Sequence, residues 1–187
     1  MNEYLGYTDD TALLAAFAVE ATKEKAFTSL LKKYSERLYW HIRRMVVSHE
    51  DADDVLQNVS IKIWRGLGSF REDASLYTWL YRIATNESLS FIESRKKRAT
   101  QHLDQGENFL SNKLVAEKGF DEKKIEWKLQ QAIHALPTKQ QLVFNLRYYD
   151  EMPYEQMSAV TATSVGALKA SYHHAVKKVE AFIKGEF

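Results

Sequence analysis

The chain has 187 residues, 45% of them apolar and 27% charged, with seven Gly and two Pro, a composition that excludes disordered, fibrous and collagen-like chains. It has no cysteine, which excludes disulfide frameworks, thiol nucleophiles and Cys-based zinc sites and fits a reducing compartment. No apolar run approaches the roughly 20 residues that cross a bilayer, and Glu3, Asp9 and Asp10 stand where a secretory signal is basic, so a cytoplasmic protein without stable membrane insertion is expected. The 26 Lys and Arg nearly cancel the 25 Asp and Glu, so any charge signal lies in placement along the chain.

Apolar residues recur every three or four positions and breakers are few, which predicts an all-α protein. The stripe Ala26, Leu30, Tyr34, Leu38, Ile42, Met45 and Val46 predicts a helix from about Thr22 to Ser48. Val55, Val59, Ile63 and Leu67 predict a second from about Asp51 to Leu67, with Asp51, Asp53 and Asp54 at its dipole-favoured start and Gly66 and Gly68 at its end. A polar loop, Ser69 to Ser75, precedes a third helix that points Leu76, Leu80, Ile83 and Ala84 inward, runs through Ile92 and ends in the basic cluster Arg95 to Arg98. Residues 1–98 thus read as one domain, residues 99–123 as a flexible polar linker with a short helix around Leu110 to Ala116, and residues 124–187 as a second domain. Met1 to Thr22 receives no role.

The second domain is expected to hold four helices. Ile125, Leu129, Ala132, Ile133 and Leu136 mark the first, stopped by Pro137. Thr138 is expected to cap the second, carrying Leu142, Val143 and Leu146, and Pro153 to open a third, Tyr154 to Val160. After the turn Thr161 to Thr163 and the cap Ser164, the last helix puts Val165, Leu168, Tyr172, Val176, Val179 and Ile183 on one face.

A short helix, a three-residue turn and a longer helix form the layout of a helix-turn-helix, whose second helix can enter a major groove. Lys169, Lys177, Lys178 and Lys184 stand against only Glu180 there, with His173 and His174 near the same polar face, a pattern suited to phosphates and base edges. A solvated basic helix is the plainer reading. In the middle of the chain Phe70, Tyr77, Trp79, Tyr81 and Phe91 interleave with Arg71, Arg82 and Arg95 to Arg98. Aromatics stack on unpaired bases while cations hold the backbone, so this segment suits single strands; Trp79 fits a core position equally well. Asp51, Asp53, Asp54, Gln57 and Asn58 make an acidic and amide-rich helix face that repels phosphate; its functional reading is a protein partner, and an exposed first turn with dipole-favoured carboxylates is the plainer one that composition alone prefers.

Enzyme chemistry finds little support. The six His are scattered and the adjacent His173 and His174 point apart, so they cannot form an i, i+4 metal pair. Neither a Gly-rich phosphate loop nor a Gly-x-Ser-x-Gly elbow is present, and no carboxylate is set in apolar sequence. No catalytic residue, metal or cofactor is expected.

At these residues the sequence resembles bacterial RNA polymerase sigma factors of the extracytoplasmic function (ECF) type, which carry only the second and fourth sigma domains. Ser69-Phe70-Arg71 with Tyr77-Thr78-Trp79-Leu80-Tyr81-Arg82-Ile83-Ala84-Thr85-Asn86 is similar to the family's promoter-melting and minus-ten segment. Asp51-Ala52-Asp53-Asp54-Val55-Leu56-Gln57-Asn58 resembles its core-polymerase contact, and Leu136-Pro137 through Tyr154-Glu155-Gln156-Met157 to Gly166-Ala167-Leu168-Lys169 resembles its fourth domain. The resemblance implies that Asp51, Asp54, Gln57, Asn58 and Trp64 dock on core RNA polymerase. It implies that Phe70, Arg71, Ser75, Tyr77, Trp79, Arg82 and Asn86 engage the minus-ten element. It also implies that Ser164, Lys169, Ala170, His173, His174, Lys177 and Lys178 meet the minus-thirty-five element in promoter DNA. An anti-sigma factor is the further partner implied, and the free chain is expected to be a monomer.

Departures from the family pattern include Asn58 for Glu, Ala162 for Gly in the turn, and Ser171, His174 and Val176 where many relatives have Arg. The bases read therefore cannot be copied from relatives. The alternatives are an autonomous helix-turn-helix regulator and a sigma-like decoy without a DNA role. The aromatic and basic middle segment separates them, because a repressor has no use for a single-strand pocket.

Overall fold

The computed structural model describes residues 9–71, 73–103 and 122–185. Among these residues there are eight α-helices, one short 3-10 turn and no strand, and the chain divides into two compact units, the first running to Ser88 and including Ala159–Thr161, the second comprising Leu89–Ser158 and the chain from Ala162 on. The Leu110 to Ala116 helix and most of the expected linker lie outside the described residues.

The first unit starts with α1 (Asp10–Phe17), capped by the Asp9 carboxylate, which accepts from the Ala12 amide. Leu13 and Phe17 are buried, so the segment without a role in the sequence supplies core. α1 is also tied by polar contacts: the Tyr34 hydroxyl donates to the Asp10 carboxylate at 2.8 Å and Lys33 Nζ reaches it at 2.7 Å. α2 (Lys23–Val46) and α3 (His49–Gly66) form a hairpin whose inner faces carry the predicted stripes. The turn between them puts Val47 at φ 74°, ψ −41°. The Ser48 amide donates back to the Val46 carbonyl at 3.0 Å, a γ-turn of the strained hand. Ser48 then caps α3 by accepting from the Asp51 amide.

α4 (Leu76–Leu103) runs five residues past the expected end at Arg98, because the stretch beyond holds neither Gly nor Pro to stop it. Its inward face also differs from expectation. Tyr81 is buried where Ile83 is only half-buried. Buried polar side chains accompany it: His41 on α2 hydrogen-bonds Thr85 at 3.0 Å, which satisfies both groups away from water.

The second unit contains the part of α4 from Leu89 on, α5 (Glu122–His134), α6 (Thr138–Tyr148), α7 (Tyr154–Thr161) as far as Ser158, and α8 (Val165–Lys184). Ala132, Ile133, Leu136, Phe144, Ala175 and Val179 form its packed centre. Pro137, extended at φ −54°, ψ 140°, occupies the cap position of α6 and Thr138 is already helical, so the expected Thr138 cap is corrected. Gln141 to Leu146 are all buried, since α6 packs on both α5 and α8. Ile183, expected in the apolar stripe, is 38% exposed, and Ala175 is buried in its place.

Candidate functional site

The acidic surface is the outer face of α3. Residues three and four apart share a helix face, so Asp51, Asp54, Gln57 and Asn58 come together; Asp51 is half-buried and the other three are exposed. Ile61, which the sequence reading missed, continues this stripe and is 42% exposed. Its signal was an apolar residue one turn beyond Gln57 and Asn58, off the Val55, Val59, Ile63 stripe. Trp64 sits at the edge of the face in an aromatic cluster, edge-on to Phe17 at 5.4 Å and to Phe27 at 5.0 Å, with Lys23 Nζ 5.4 Å over its ring.

The single-strand candidates divide. Ser75, Trp79, Arg82 and Asn86 follow i, i+4, i+7, i+11 spacing and line one face of α4. The half-buried Phe70 joins them, its ring 5.3 Å from that of Trp79, and Arg71 is exposed beside it. Tyr77 does not. It lies on the other side of α4, 4.4 Å from Tyr81 and 6.5 Å from Tyr34. Ser75 has local work as well: its hydroxyl accepts from the Thr78 amide at 3.2 Å and pairs with the Thr78 hydroxyl at 2.8 Å, which caps the start of α4.

In the second unit the chain passes from α7 to α8 through Ala162 in the left-handed conformation, φ 52°, ψ 37°, and Ser164 caps α8 by accepting from the Ala167 amide at 3.3 Å. This is the helix-turn-helix geometry, with Ala holding the bend that glycine makes at lower cost. Lys169, Ala170, His173, His174, Lys177 and Lys178 are all exposed on the outer half of α8. Two contributors were missed. Tyr154 has Arg147 Cζ 5.2 Å from its ring centroid and Lys169 Nζ 5.6 Å away, so one phenol positions two cations. Their signal was an aromatic at the start of the first helix of the motif. Behind them burial, and then electrostatic interaction with the neighbouring Tyr154 phenol, raises the Tyr172 phenol above its ordinary pKa.

Among the described residues no group of three His, Asp or Glu could hold a metal ion, and no described helix is long and apolar enough to cross a membrane.

Comparison with known proteins decides the family. The pattern of sigma-70 region 2 matches residues 30–98 and that of sigma-70 region 4 matches residues 126–179. The ECF RNA polymerase sigma-E factor of Escherichia coli K12 is 31% identical over 170 residues, spanning 87% of this chain and 88% of its own length. The chain belongs to the ECF sigma factors. The RNA polymerase sigma-H factor of Pseudomonas aeruginosa is 29% identical over the same shares of both chains. In fold, this sigma factor is similar to CnrH, solved in complex with the cytosolic domain of CnrY (TM-score 0.68, 21% identity, 95% of this chain and 99% of that one). It is similar too to RpoE from Bartonella quintana, solved with the anti-sigma factor NepR (TM-score 0.69, 20% identity, 86% and 98%). The sigma factor directs RNA polymerase to promoters, and its region 2 contains the acidic face of α3 and the aromatic and basic face of α4.

Proposed function

We propose that the sigma factor divides promoter recognition among three surfaces. Asp51, Asp54, Gln57 and Asn58, with Ile61 as an added apolar anchor, dock on the clamp coiled coil of the polymerase's largest subunit. Acid on α3 then serves as a protein contact beside helices that meet DNA. Phe70 and Arg71 receive a base flipped from the non-template strand of the minus-ten element, while Trp79, Arg82 and Asn86 hold the strand along α4. Binding the extruded base offsets the few kcal/mol of unstacking, so melting needs no catalytic activity or cofactor from this chain. Tyr77, on the opposite side of α4, supports this face through packing.

The outer face of α8 enters the minus-thirty-five major groove. Lys169, Ala170, His173 and His174 meet base edges there, while Lys177 and Lys178 hold phosphates and Ser164 fixes the helix start. Arg147 and Tyr154 add to the phosphate grip. The protein acts in the cytoplasm with the polymerase, and an anti-sigma factor restrains it, by analogy with RpoE and its partner NepR.

The observation that carries this reading is the alignment of Trp79, Arg82 and Asn86 on one face of α4 beside Phe70, a single-strand surface that a duplex-binding repressor does not need. The test is transcription in vitro with sigma-free core polymerase on fragmented genomic DNA, sequencing RNA 5′ ends. New start sites sharing two upstream motifs are expected, and Asp54→Lys and Phe70→Ala should each abolish them. Tight sequence-specific duplex binding by the free chain with no new starts would instead support an autonomous regulator.

A further inference from the structure

α3 borders one flank of the α4 face proposed to hold the strand. Trp79, on that face, lies against Gly66 of α3. Further along α4, Glu87 forms an ion pair with Lys62, one turn earlier on α3. The two helices therefore pass each other in opposite senses, and α3 lines the flank from Trp79 to Glu87, about 12 Å at ~1.5 Å per residue.

The two members of this pair differ in how far they depend on each other. The Lys62 side chain is 57% exposed, whereas that of Glu87 is 16% exposed; the paired carboxylates of Asp10, Asp53 and Glu20 are each at least 34% exposed. A carboxylate covered to this extent needs its cation, while a cation more than half in water loses little when its partner is removed. Glu87 also directly follows Asn86 and is the first of two carboxylates in α4. The second, Glu93, lies two turns beyond Asn86, outside the stretch from Trp79 to Asn86, whose one charge is the exposed Arg82. An uncompensated negative charge beside Asn86 would fall within a Debye length, about 8–10 Å, of a phosphate held there and would repel the strand.

We propose that Lys62 is a positioning residue for minus-ten capture: it cancels the Glu87 carboxylate at the edge of the strand-binding face and fixes that edge to α3. The inference rests on the reading of α4 as the strand-binding helix and deepens it, because it assigns the electrostatic tuning of that face to a residue of another helix. Lys62 stands one turn after Asn58, so α3 presents acid outward at its start and neutralises acid at the DNA face near its end.

The test uses holoenzyme, the full chain with core polymerase, on a promoter taken from the start-site map. Two readouts are followed, the permanganate reactivity of minus-ten thymines and the affinity for a single-stranded oligonucleotide carrying the non-template minus-ten sequence. Lys62→Met keeps the aliphatic stem and leaves Glu87 without its cation. Strand affinity should fall about five-fold, the effect of one repulsive charge roughly 10 Å from a phosphate at an effective dielectric of about 30. The deficit should shrink as salt rises from about 0.05 to about 0.3 M, because screening weakens the repulsion. Glu87→Gln should bind the strand at least as well as the parent, and adding it to Lys62→Met should return affinity to within about two-fold of the parent, a coupling that independent sites do not show.

A pair that served only the stability of the fold would give no such recovery in the double variant. If Lys62→Met melts early by circular dichroism, the double variant and the salt series decide. Parent-like strand affinity of Lys62→Met, or a loss that Glu87→Gln fails to recover, overturns the inference. Asn86→Ala separates the two levels. Loss of strand binding there with none from Lys62→Met sinks the role of the pair alone, whereas no loss from either variant overturns the reading of α4 and this inference with it.

Discussion

Trp79 lies against Gly66: a Cβ built on that glycine would meet the indole Cζ2 at 3.0 Å and Cη2 at 3.4 Å. Gly66 has an ordinary helical backbone, φ −93°, ψ −20°, so glycine is needed there for space and not for conformation. Alanine at an exposed helical glycine normally adds up to ~1 kcal/mol of stability. Gly66→Ala should instead show no gain or a loss, and should push Trp79 toward Phe70, lowering open-complex formation more than closed-complex formation. Permanganate footprinting of the minus-ten region checks this. Trp79→Phe in the same chain should recover the stability lost; if it does not, the contact is not the cause.

Tyr34 is the polar fastening of α1. Burial first, then its hydrogen bond to Asp10 and that carboxylate's charge, raise the Tyr34 phenol well above its ordinary pKa. The neutral phenol is the form the fold binds, so its contribution is fully present below the pKa of an unfolded tyrosine and is lost as pH rises through the folded value. The first unit should therefore lose stability progressively above about pH 10. Tyr34→Phe should cost about 1 kcal/mol at neutral pH and flatten that alkaline decline. Urea melts at several pH values, read by far-ultraviolet circular dichroism, measure both effects; an unchanged alkaline slope would remove Tyr34 as its source.

The elements that a single periodic stripe determines were legible in the sequence. Leu30, Leu38, Ile42, Val55, Val59 and Ile63 face the core as their spacing predicts, because α2 and α3 each bury one side. α6 escaped that logic: a helix packed against two neighbours buries six consecutive residues, Gln141 and Asn145 included, so its pattern has no polar side to read. α1 escaped it too. Its buried Phe17 is explained by Trp64 and Phe27, partners that only the fold brings near. In the candidate site, composition grouped Tyr77 with Trp79, but two residues along a helix turn the side chain to the far side. The cation pair on Tyr154 joins α6, α7 and α8, a convergence that no local spacing encodes.

Val47 stores strain in the α2 to α3 turn. A β-branched residue at φ 74° is disfavoured, and the Arg43 guanidinium donating to the Val47 carbonyl holds it there. Val47→Gly should stabilise the first unit by up to about 1 kcal/mol, the relief of strain exceeding the entropy that glycine adds to the unfolded chain. Arg43→Ala should have the opposite sign. Thermal melts of the two variants test this, and a fall in melting temperature for Val47→Gly would show that the valine side chain contributes more by packing than its backbone costs.

Tyr154 holds one cation from α6 and one from α8 over its ring. Its ring faces Arg147 at 5.2 Å and Lys169 at 5.6 Å, and Arg147 is steadied by donating to the Met152 carbonyl at 3.2 Å. If both cations grip the promoter backbone, the ring sets their reach without itself carrying charge. Tyr154→Phe keeps the aromatic face and should bind a minus-thirty-five duplex within about two-fold of the parent, since the cation interaction is worth ~0.5–1 kcal/mol at exposed sites and resides in the ring. Tyr154→Ala frees both side chains and should weaken binding by about five- to thirty-fold, from two such interactions and the ordering they supply. Lys169→Ala should reduce the salt slope by about 0.9, one phosphate contact, and adding Tyr154→Ala to it should cost less than Tyr154→Ala alone, because one of the two cations is already gone. Fluorescence anisotropy of the holoenzyme on a labelled promoter, over a series of salt concentrations, reads all four variants. Additive losses in the double variant would mean that Tyr154 acts through the helix-turn-helix packing and not through Lys169.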